Sequence, residues 1–300
     1  MESLELVKEK IYNYVKEINH QQSLDLLAKL SSGKMLRSKL VFKIAGVNEQ
    51  TINICAIIEM IQSASLLHDD VIDEANTRRG QPSINALFDN KISIMFGDIL
   101  YSKGFTQLTL LPQDIAYNIS NAVTLLSVGE MLDVSLAEEF NTSLDAYLDM
   151  IYKKTASLIE ASSRVAAILA SKDEEKFALY GKNLGIAFQM IDDILDITQT
   201  SEQLGKPAML DFVEGKVTIP YLLLHDRLES NDKEYLKSLF KKSLDEKQTL
   251  WIKDKMQSTN ALNDAIEMAN QYATQAIQAI KDENSNDLIE IISAMVNRDY

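Results

Sequence analysis

Two apolar stretches of the chain each end in a cluster of aspartates, and they restrict the possible folds more than any other feature. The first covers residues 52–73 and ends in Asp69, Asp70 and Asp73, and the second covers residues 181–198. In both, apolar residues occupy every side of a helical wheel, which is typical of a helix buried at the centre of a bundle. The sequence therefore predicts two central helices with carboxylates at or near their ends.

The scarcity of turn-forming residues extends this prediction to the whole chain. The 300 residues include 10 glycines and 4 prolines, whereas β-sandwiches and doubly wound α/β folds need such residues at frequent turns. Good helix formers dominate the remainder. We therefore expect an all-α fold that forms a single domain over residues 1–300, with its longest irregular stretch at residues 200–220.

Charge and composition argue against several functional classes. The net charge is −14 and no basic tract offsets it, so a nucleic-acid partner is not expected. No run of 18 apolar residues predicts a transmembrane segment, and the charged N-terminal stretch lacks the apolar run of a signal peptide. The single cysteine, Cys55, excludes an intramolecular disulfide and a multi-cysteine zinc site. These features predict a cytoplasmic protein.

The spacing of the aspartates favours a metal site over a solvated helix face. Asp69 and Asp73 are four residues apart, as are Asp192 and Asp196, so each pair lies on one helix face, about 6 Å apart along the axis. Such like charges repel each other and are costly to bury. Oxygen ligands without histidine or cysteine suit Mg²⁺, which takes one or two carboxylates together with substrate phosphates. One such motif could be a solvated face, but two copies in apolar helices indicate metal binding.

Basic residues near the clusters could hold a metal-bound diphosphate. Six of them follow the first cluster, lie at a probable helix start, or lie in the irregular loop beyond the second cluster: Arg78 and Arg79, Lys34 and Arg37, and Lys206 and Lys216, respectively. Guanidinium groups bind phosphate through paired hydrogen bonds, and the free N–H groups of a helix start favour anions. Each residue alone would be read as a surface ion pair, but together they indicate a diphosphate site.

In the order and identity of these motifs, the chain resembles the trans-prenyl diphosphate synthases, which join isoprenoid units head to tail. The resemblance covers residues 33–220. It is carried by the segments "GKMLR", "LLHDDVIDEANTRRGQPS", "GDILYSKGF", "KKTA", "FQMIDDILD" and "LGKPAMLDFVEGKVTIP". Within the family, the chain is most similar to the bacterial medium- and long-chain enzymes of the octaprenyl diphosphate synthase type, which make quinone side chains.

The resemblance implies a fold, a cofactor and a reaction. The fold is a helical isoprenoid-synthase bundle around a deep central cavity, and the assembly is a homodimer. The cofactor is Mg²⁺, with three ions when substrate is bound. The substrates are isopentenyl diphosphate and an allylic diphosphate, farnesyl or geranylgeranyl. The reaction proceeds by ionisation, condensation and elimination, with metal and cationic side chains stabilising the departing diphosphate.

The resemblance also implies roles for individual residues. The metal ligands are Asp69, Asp73 and Asp192. The isopentenyl diphosphate site comprises Lys34, Arg37, Gln62 and Arg79, where Gln62 stands in place of a histidine found in many relatives. The allylic diphosphate site comprises Arg78, Lys154, Thr155, Gln189, Lys206 and Lys216. The catalytic set comprises Asp69, Asp70, Asp73, Arg78, Lys154, Asp192, Asp193, Asp196 and Lys206. We interpret His68 as structural, because this route needs no nucleophilic side chain.

Product length is predicted from the residues that precede the first cluster. Ala64 and Ser65 are small where short-chain members of the family carry an aromatic residue, so a growing tail can pass this level. Candidates for the tunnel floor lie deeper: Ile57, Met60, Ile61, Leu125, Leu126 and Met131. The resemblance therefore implies a product of C30 to C40, with octaprenyl as the single choice.

Four other functions are weighed against this one. A geranylgeranyl diphosphate synthase differs only in product length. A non-catalytic subunit of a heteromeric synthase would have lost aspartates that are intact here. A terpene cyclase typically has one DDxxD motif and a different second motif. A metal-dependent phosphohydrolase using His68 would need more histidine ligands, and the remaining ones are His20 and His225.

Overall fold

A computed structural model describes residues 2–31, 33–199, 209–283 and 285–296. Helices dominate these residues, which confirms the all-α prediction, and the strands among them are two of two residues each. The chain forms two compact units, residues 1–124 with 158–178, and residues 125–157 with 179–300. The expectation of a single domain over residues 1–300 stays a prediction.

The elements follow one another along the chain with short connections. The first half contains α1 (Glu2–Lys16), α2 (Gln21–Leu27), α3 (Leu36–Ala45), α4 (Glu49–Ile72), β1 (Thr77–Arg78), β2 (Gln81–Pro82), α5 (Ile84–Leu87), α6 (Asn90–Leu108) and α7 (Gln113–Leu136). The second half contains α8 (Leu144–Ile151), a π-helical turn (Tyr152–Ala156), α9 (Ser157–Leu169), α10 (Glu174–Thr198), α11 (Leu210–Val213), α12 (Ile219–Arg227), α13 (Ser230–Leu239), α14 (Glu246–Ser258), α15 (Ala261–Ala279) and α16 (Asn286–Val296).

In the first unit, α4 is the central helix, as its uninterrupted apolar sequence predicts. It begins at a capping box, in which the Asn48 and Thr51 side chains each accept the other residue's backbone N–H. It packs on α6, α1 and α3. The α6 contact is close at Gly97, where a Cβ atom would lie 2.4 Å from His68 Nε2. His68 thus packs between the two helices, and its Nε2 donates a hydrogen bond to the Ile94 carbonyl, 3.1 Å away.

In the second unit, α12 packs on α15 and also touches α8. Aromatic rings fill the space around α11, where Phe212 stacks on Tyr221 with their centroids 4.3 Å apart. Phe140 and Phe240 meet Phe212 at steep angles, a preferred aromatic geometry. These contacts hold the segment that follows α11 and leads into α12.

Two helices, α4 and α7, are long and apolar enough to cross a membrane by length and composition alone. Buried core helices pass the same test, and 56% of the apolar window of α4 is buried within the protein. The match is therefore weak evidence for a span.

Candidate active site

The two adjacent arginines after the first cluster lie on a short β-hairpin, where the sequence indicated only a polar loop. Strands β1 and β2 pair antiparallel, with Arg78 opposite Gln81. Arg79 and Gly80 form the turn and have φ values of +55° and +72°, as a two-residue hairpin turn of type I′ requires. The hairpin sends Arg78 and Arg79 to different places.

Arg78 turns back onto the aspartates at the end of α4. Its Nη2 donates to Asp69 Oδ2 at 2.9 Å, and its Nε donates to Asp70 Oδ1 at 2.6 Å. Burial raises the pKa of Asp70, whose exposure is 4%, although the positive charge of Arg78 opposes that shift. Asp73 is the C-cap residue of α4, and its backbone N–H donates to the Asp69 carbonyl. The first cluster is thus partly neutralised by a side chain of this chain.

Two polar side chains fix the backbone around this cluster. Asn85 Nδ2 donates to the carbonyls of Asp70 and Ala75, at 3.1 Å and 3.0 Å. Ser83 Oγ donates to the same Ala75 carbonyl at 2.7 Å. Sequence reasoning missed Asn85, because an asparagine in a short helix has no motif that marks it.

Arg79 points to the segment that precedes α3. Its Nη1 donates to the Ser31 carbonyl at 3.1 Å, and a Cβ atom on Gly33 would lie 2.5 Å from its Nη2. Gly33 therefore leaves room for the guanidinium. The structure brings Arg79 next to Gly33, although 46 positions separate them in the sequence.

Glu59 of α4 interacts electrostatically with both Arg79 and Arg37. Ser38 Oγ donates to Glu59 Oε1 at 2.6 Å, and the negative charge of Glu59 acts on both Arg37 and Arg79. Burial nevertheless lowers the pKa of Arg37 to about 10. Among the described residues, the buried Arg37 Nε and Gln62 Oε1 have no hydrogen-bond partner. Sequence reasoning missed Glu59, whose side chain organises these predicted isopentenyl diphosphate residues.

The second cluster lies within α10, and both carboxylate oxygens of Asp193 accept hydrogen bonds from side chains. Tyr147 donates to Asp193 Oδ2 at 2.5 Å, and Gln189 Nε2 donates to Asp193 Oδ1 at 2.8 Å. Burial, with the nearby charge of Asp211, raises the pKa of Asp193 well above its ordinary value. Tyr147, in α8, was missed because it lies 46 residues from its partner.

The three aspartates of this cluster differ in burial. Asp193 and Asp196 are 4% and 2% exposed, whereas Asp192 is half-buried. Asp196 Oδ2 accepts the backbone N–H of Asp211 at 3.3 Å, and its carbonyl accepts that of Met209 at 2.8 Å. Asp192 is therefore the most accessible carboxylate of the three, which suits the ligand role that the resemblance implies for it.

The π-helical turn after α8 places Lys154 and Thr155. Thr155 Oγ1 donates to Gln189 Oε1 at 2.8 Å, so the turn is tied to α10. Lys154 Nζ lies 2.5 Å from Asp133 Oδ2 and 3.0 Å from Glu130 Oε2 of α7. A Cβ atom on Gly129 would lie 2.2 Å from the Lys154 backbone nitrogen. Gly129 therefore permits an approach of two backbones that any larger residue would prevent.

The other predicted allylic residues lie in or near the irregular stretch. Lys216 lines a small, partly open pocket together with Asp133 and Tyr147. Its Nζ lies 3.4 Å from Glu214 Oε2. Lys206 lies outside the described residues.

The residues predicted to govern product length lie on α4. Ala64 is fully buried on the side of α6, with its carbonyl 3.3 Å from the position of a Cβ on Gly97. Ser65 is half-buried, and its hydroxyl donates to the Gln62 carbonyl. Met131 is 72% exposed and so cannot be a buried floor within one chain, which corrects its place among the candidates.

The donor set fits Mg²⁺. Within the described part of the chain, no group of three histidine, cysteine or acidic side chains could hold a metal ion by itself. Magnesium does not require one, because it takes one or two carboxylates and completes its shell with water and phosphate oxygens. The carboxylates of each aspartate cluster are oxygen ligands of the kind that this ion prefers.

The chain matches known proteins over most of its length. Residues 20–256 match the family model described as polyprenyl synthetase. The octaprenyl pyrophosphate synthase of Helicobacter pylori is 43% identical over 99% of both chains, with a TM-score of 0.94. A polyprenyl synthase of Caulobacter crescentus, crystallised with calcium and isoprenyl diphosphate, is 29% identical over 99% of this chain and 94% of that one, with a TM-score of 0.88.

Curated sequences give the same kind of match over shorter lengths. Solanesyl-diphosphate synthase 1 of Oryza sativa subsp. japonica is 37% identical over 82% of this chain and 58% of its own length. The chain spans about half the length of the solanesyl diphosphate synthases that it matches.

Proposed function

Because the chain belongs to the polyprenyl synthetase family, we propose that it is a Mg²⁺-dependent prenyltransferase that adds isopentenyl diphosphate to an allylic diphosphate. The observation that carries the proposal is the division of the two arginines. Arg78 binds the first aspartate cluster, while Arg79 lies beside the segment of Gly33 and Lys34. Two neighbouring cations thus serve two separate places, as a reaction between two diphosphates needs.

The chain supplies the charges for the proposed ionisation step. The carbon–oxygen bond of the allylic diphosphate breaks, and its electron pair leaves with the diphosphate. Arg78 and Lys154 stabilise that negative charge through charge-assisted hydrogen bonds. The carboxylates that hold these two cations in the structure keep them in position until the substrate arrives.

Arg37, Arg79 and Lys34 orient the second substrate. They bind its diphosphate so that its double bond attacks the allylic cation, and the released diphosphate accepts the proton that is lost. Bound Mg²⁺, held by Asp69, Asp73 and Asp192, would add positive charge at the departing diphosphate. The Caulobacter crescentus relative, crystallised with calcium and isoprenyl diphosphate, supports the use of a divalent ion.

We assign a product of C30 to C40 and choose octaprenyl. The 43% identity with the Helicobacter pylori octaprenyl pyrophosphate synthase supports this choice. The small residues Ala64 and Ser65 agree with it. The names of the solanesyl diphosphate synthases among the relatives make a solanesyl product the longer alternative, and a geranylgeranyl product is the shorter alternative. The cytoplasmic location predicted from the sequence stays a prediction.

A homodimer belongs to the same proposal. Val128, Met131 and Val134 follow one another at three-residue spacing on α7, so they share a helix face, and all three are exposed. Exposed apolar patches of this kind mark protein–protein contacts. Light scattering should give twice the chain mass for the wild type, and Met131→Lys should shift the protein towards the monomer. A wild-type monomer would refute the dimer.

Product analysis tests the proposed reaction. Purified protein would be incubated with labelled isopentenyl diphosphate, farnesyl diphosphate and Mg²⁺, with an EDTA control, and the dephosphorylated products separated by carbon number. We expect metal-dependent products beyond C20 that accumulate at octaprenyl. Products that stop at C20 would establish a geranylgeranyl synthase instead. No condensation by the folded protein would favour a non-catalytic subunit.

Product length has its own pair of variants. Ser65→Phe places an aromatic ring at a half-buried position of α4, and Ala64→Phe places it at a fully buried one. We expect both to shorten the product, with Ser65→Phe better tolerated by the fold. Unchanged products from both folded variants would contradict the predicted tunnel.

A further inference from the structure

We infer that Tyr147 is a positioning residue that sets the orientation of the second aspartate cluster for metal binding. The inference rests on the proposed function and adds a residue to it. Tyr147 is 1% exposed, and its hydroxyl donates to Asp193 Oδ2 at 2.5 Å. A phenol so deeply buried costs free energy unless its hydroxyl has a partner, and here that partner is the middle aspartate of the motif.

The contact belongs to a chain of three hydrogen bonds. Tyr147 donates to Asp193, Gln189 donates to the other oxygen of Asp193, and Thr155 donates to the Gln189 carbonyl oxygen. Tyr147 lies in α8, and Thr155 lies in the π-helical turn that directly follows it. The two outer residues of this hydrogen-bond series therefore belong to one continuous segment. That segment binds α10 at two residues, Gln189 and Asp193, which are about one helical turn apart.

These hydrogen bonds fix the rotation of α10 about its own axis. Residues 192 and 193 project about 100° apart on an α-helix. If both oxygens of Asp193 are held inward by Tyr147 and Gln189, the half-buried Asp192 is held in a different, more accessible direction. Asp193 is thus a support, and Asp192 is the carboxylate that presents its oxygens. Tyr147 acts on the metal site through Asp193 without being a ligand.

The same hydrogen bonds also involve the segment that carries predicted allylic diphosphate residues. Lys154 precedes Thr155 in the π-helical turn, and π-helical turns are frequent at functional sites. Removal of the Tyr147 hydroxyl would therefore loosen the contact of α8 with α10 while leaving the Gly33–Arg37 segment of the first unit unchanged. The effect should fall on metal and allylic diphosphate binding and spare isopentenyl diphosphate.

The test compares Tyr147→Phe with Tyr180→Phe. Tyr180 is a matched control, because it is fully buried in the same unit and its hydroxyl donates to the Leu288 carbonyl at 3.0 Å, away from the aspartates. Two quantities would be measured on the full chain. One is the Mg²⁺ concentration for half-maximal condensation, and the other is the Mg²⁺ affinity by calorimetry with a non-hydrolysable farnesyl thiolodiphosphate.

We expect Tyr147→Phe to weaken Mg²⁺ binding about 10- to 100-fold, the usual effect of losing a residue that orients a metal ligand. The KM for isopentenyl diphosphate should not change, and Tyr180→Phe should leave the Mg²⁺ dependence at the wild-type value. An unchanged Mg²⁺ affinity in Tyr147→Phe, or an equal loss in Tyr180→Phe, would overturn the inference. A wild type that condenses no substrate would instead refute the proposed function.

A second pair of variants keeps the test decisive if Tyr147→Phe does not fold. Asp193→Asn leaves a neutral group, so the double variant Tyr147→Phe/Asp193→Asn buries no carboxylate that lacks its donor. Because Tyr147 acts through Asp193, the double variant should bind Mg²⁺ as Asp193→Asn does. A further loss of affinity in the double variant would show that Tyr147 acts by another route, and would overturn the inference.

Discussion

The middle aspartates of the two clusters, Asp70 and Asp193, are equally buried but are held by different kinds of donor. Each is 4% exposed. Asp70 receives a hydrogen bond from the charged Arg78, whereas Asp193 receives hydrogen bonds from the neutral Tyr147 and Gln189. The comparison teaches that both copies of the motif bind their middle carboxylate to other side chains of the protein. The first copy does so with a charged donor and the second with neutral donors.

Loss of the donor should lower the stability of the folded protein by different amounts in the two clusters. A buried carboxylate that loses a cationic partner keeps an uncompensated charge, whereas one that loses a phenol or an amide loses a hydrogen bond. The first cluster should therefore be the more sensitive of the two to removal of its donor.

The largest effect is expected for Arg78→Met. This substitution removes the guanidinium that binds Asp69 and Asp70, and we expect the free energy of unfolding to fall by about 3 kcal/mol. Urea unfolding in metal-free buffer measures this. The matched control is Arg164→Met, because Arg164 pairs with the exposed Glu175, and exposed pairs contribute about 1 kcal/mol or less. Equal losses in both variants would contradict the role of Arg78 in the first cluster.

The next effect is expected for Gly129→Ala. The new Cβ atom would lie 2.2 Å from the Lys154 backbone, which cannot move aside as a side chain can. We expect a loss of about 2 kcal/mol in the free energy of unfolding and a loss of activity through displacement of Lys154. Gly104→Ala in the first unit is the control, since its nearest neighbour would be at an ordinary 3.6 Å. If Gly129→Ala and Gly104→Ala are equally well tolerated, the close packing of α7 against the π-helical turn is contradicted.

Substitution of two glutamines should have a smaller effect, and each substitution should raise the KM for a different substrate. Gln189→Leu removes hydrogen bonds to Asp193 and Thr155, and should cost about 1 kcal/mol of stability and raise the KM for the allylic diphosphate. Gln62→Leu removes a buried oxygen that has no hydrogen-bond partner in the described structure. It should leave stability nearly unchanged and raise the KM for isopentenyl diphosphate. Steady-state kinetics with each substrate varied in turn measure both KM values. The assignment of the two glutamines to different substrate sites is wrong if both variants raise the same KM, or if each raises the KM expected for the other.

The smallest effect is a pH dependence far from both clusters. The hydrogen bond and positive charge of Arg164 lower the pKa of Glu175 below its ordinary 4.5. The ionised pair therefore stabilises the fold above that ordinary value, and this contribution is lost as pH falls through the lowered pKa of the folded protein. Glu175→Gln should be slightly less stable than the wild type at pH 7 and equal to it in strong acid. Thermal unfolding across this range would show parallel curves if the pair contributes nothing.

The sequence by itself determined the helical class and predicted which carboxylates and cations form the candidate site. Apolar residues on every side of residues 52–73 and 181–198 required central helices, and few glycines or prolines left room for other elements. The four-residue spacing of Asp69 and Asp73 followed from helical geometry alone. These features are local or periodic, so they can be read without knowledge of distant contacts.

Only the tertiary structure decided which side chains hold the predicted residues. Tyr147, Glu59 and Asn85 carry no motif, and each acts on a partner that packing brings to it. The separation of Arg78 from Arg79 likewise depends on a hairpin turn whose backbone places adjacent residues in different directions. A spacing pattern fixes which residues share a helix face, but hydrogen-bond partners far apart in the sequence are fixed by the packing of whole elements.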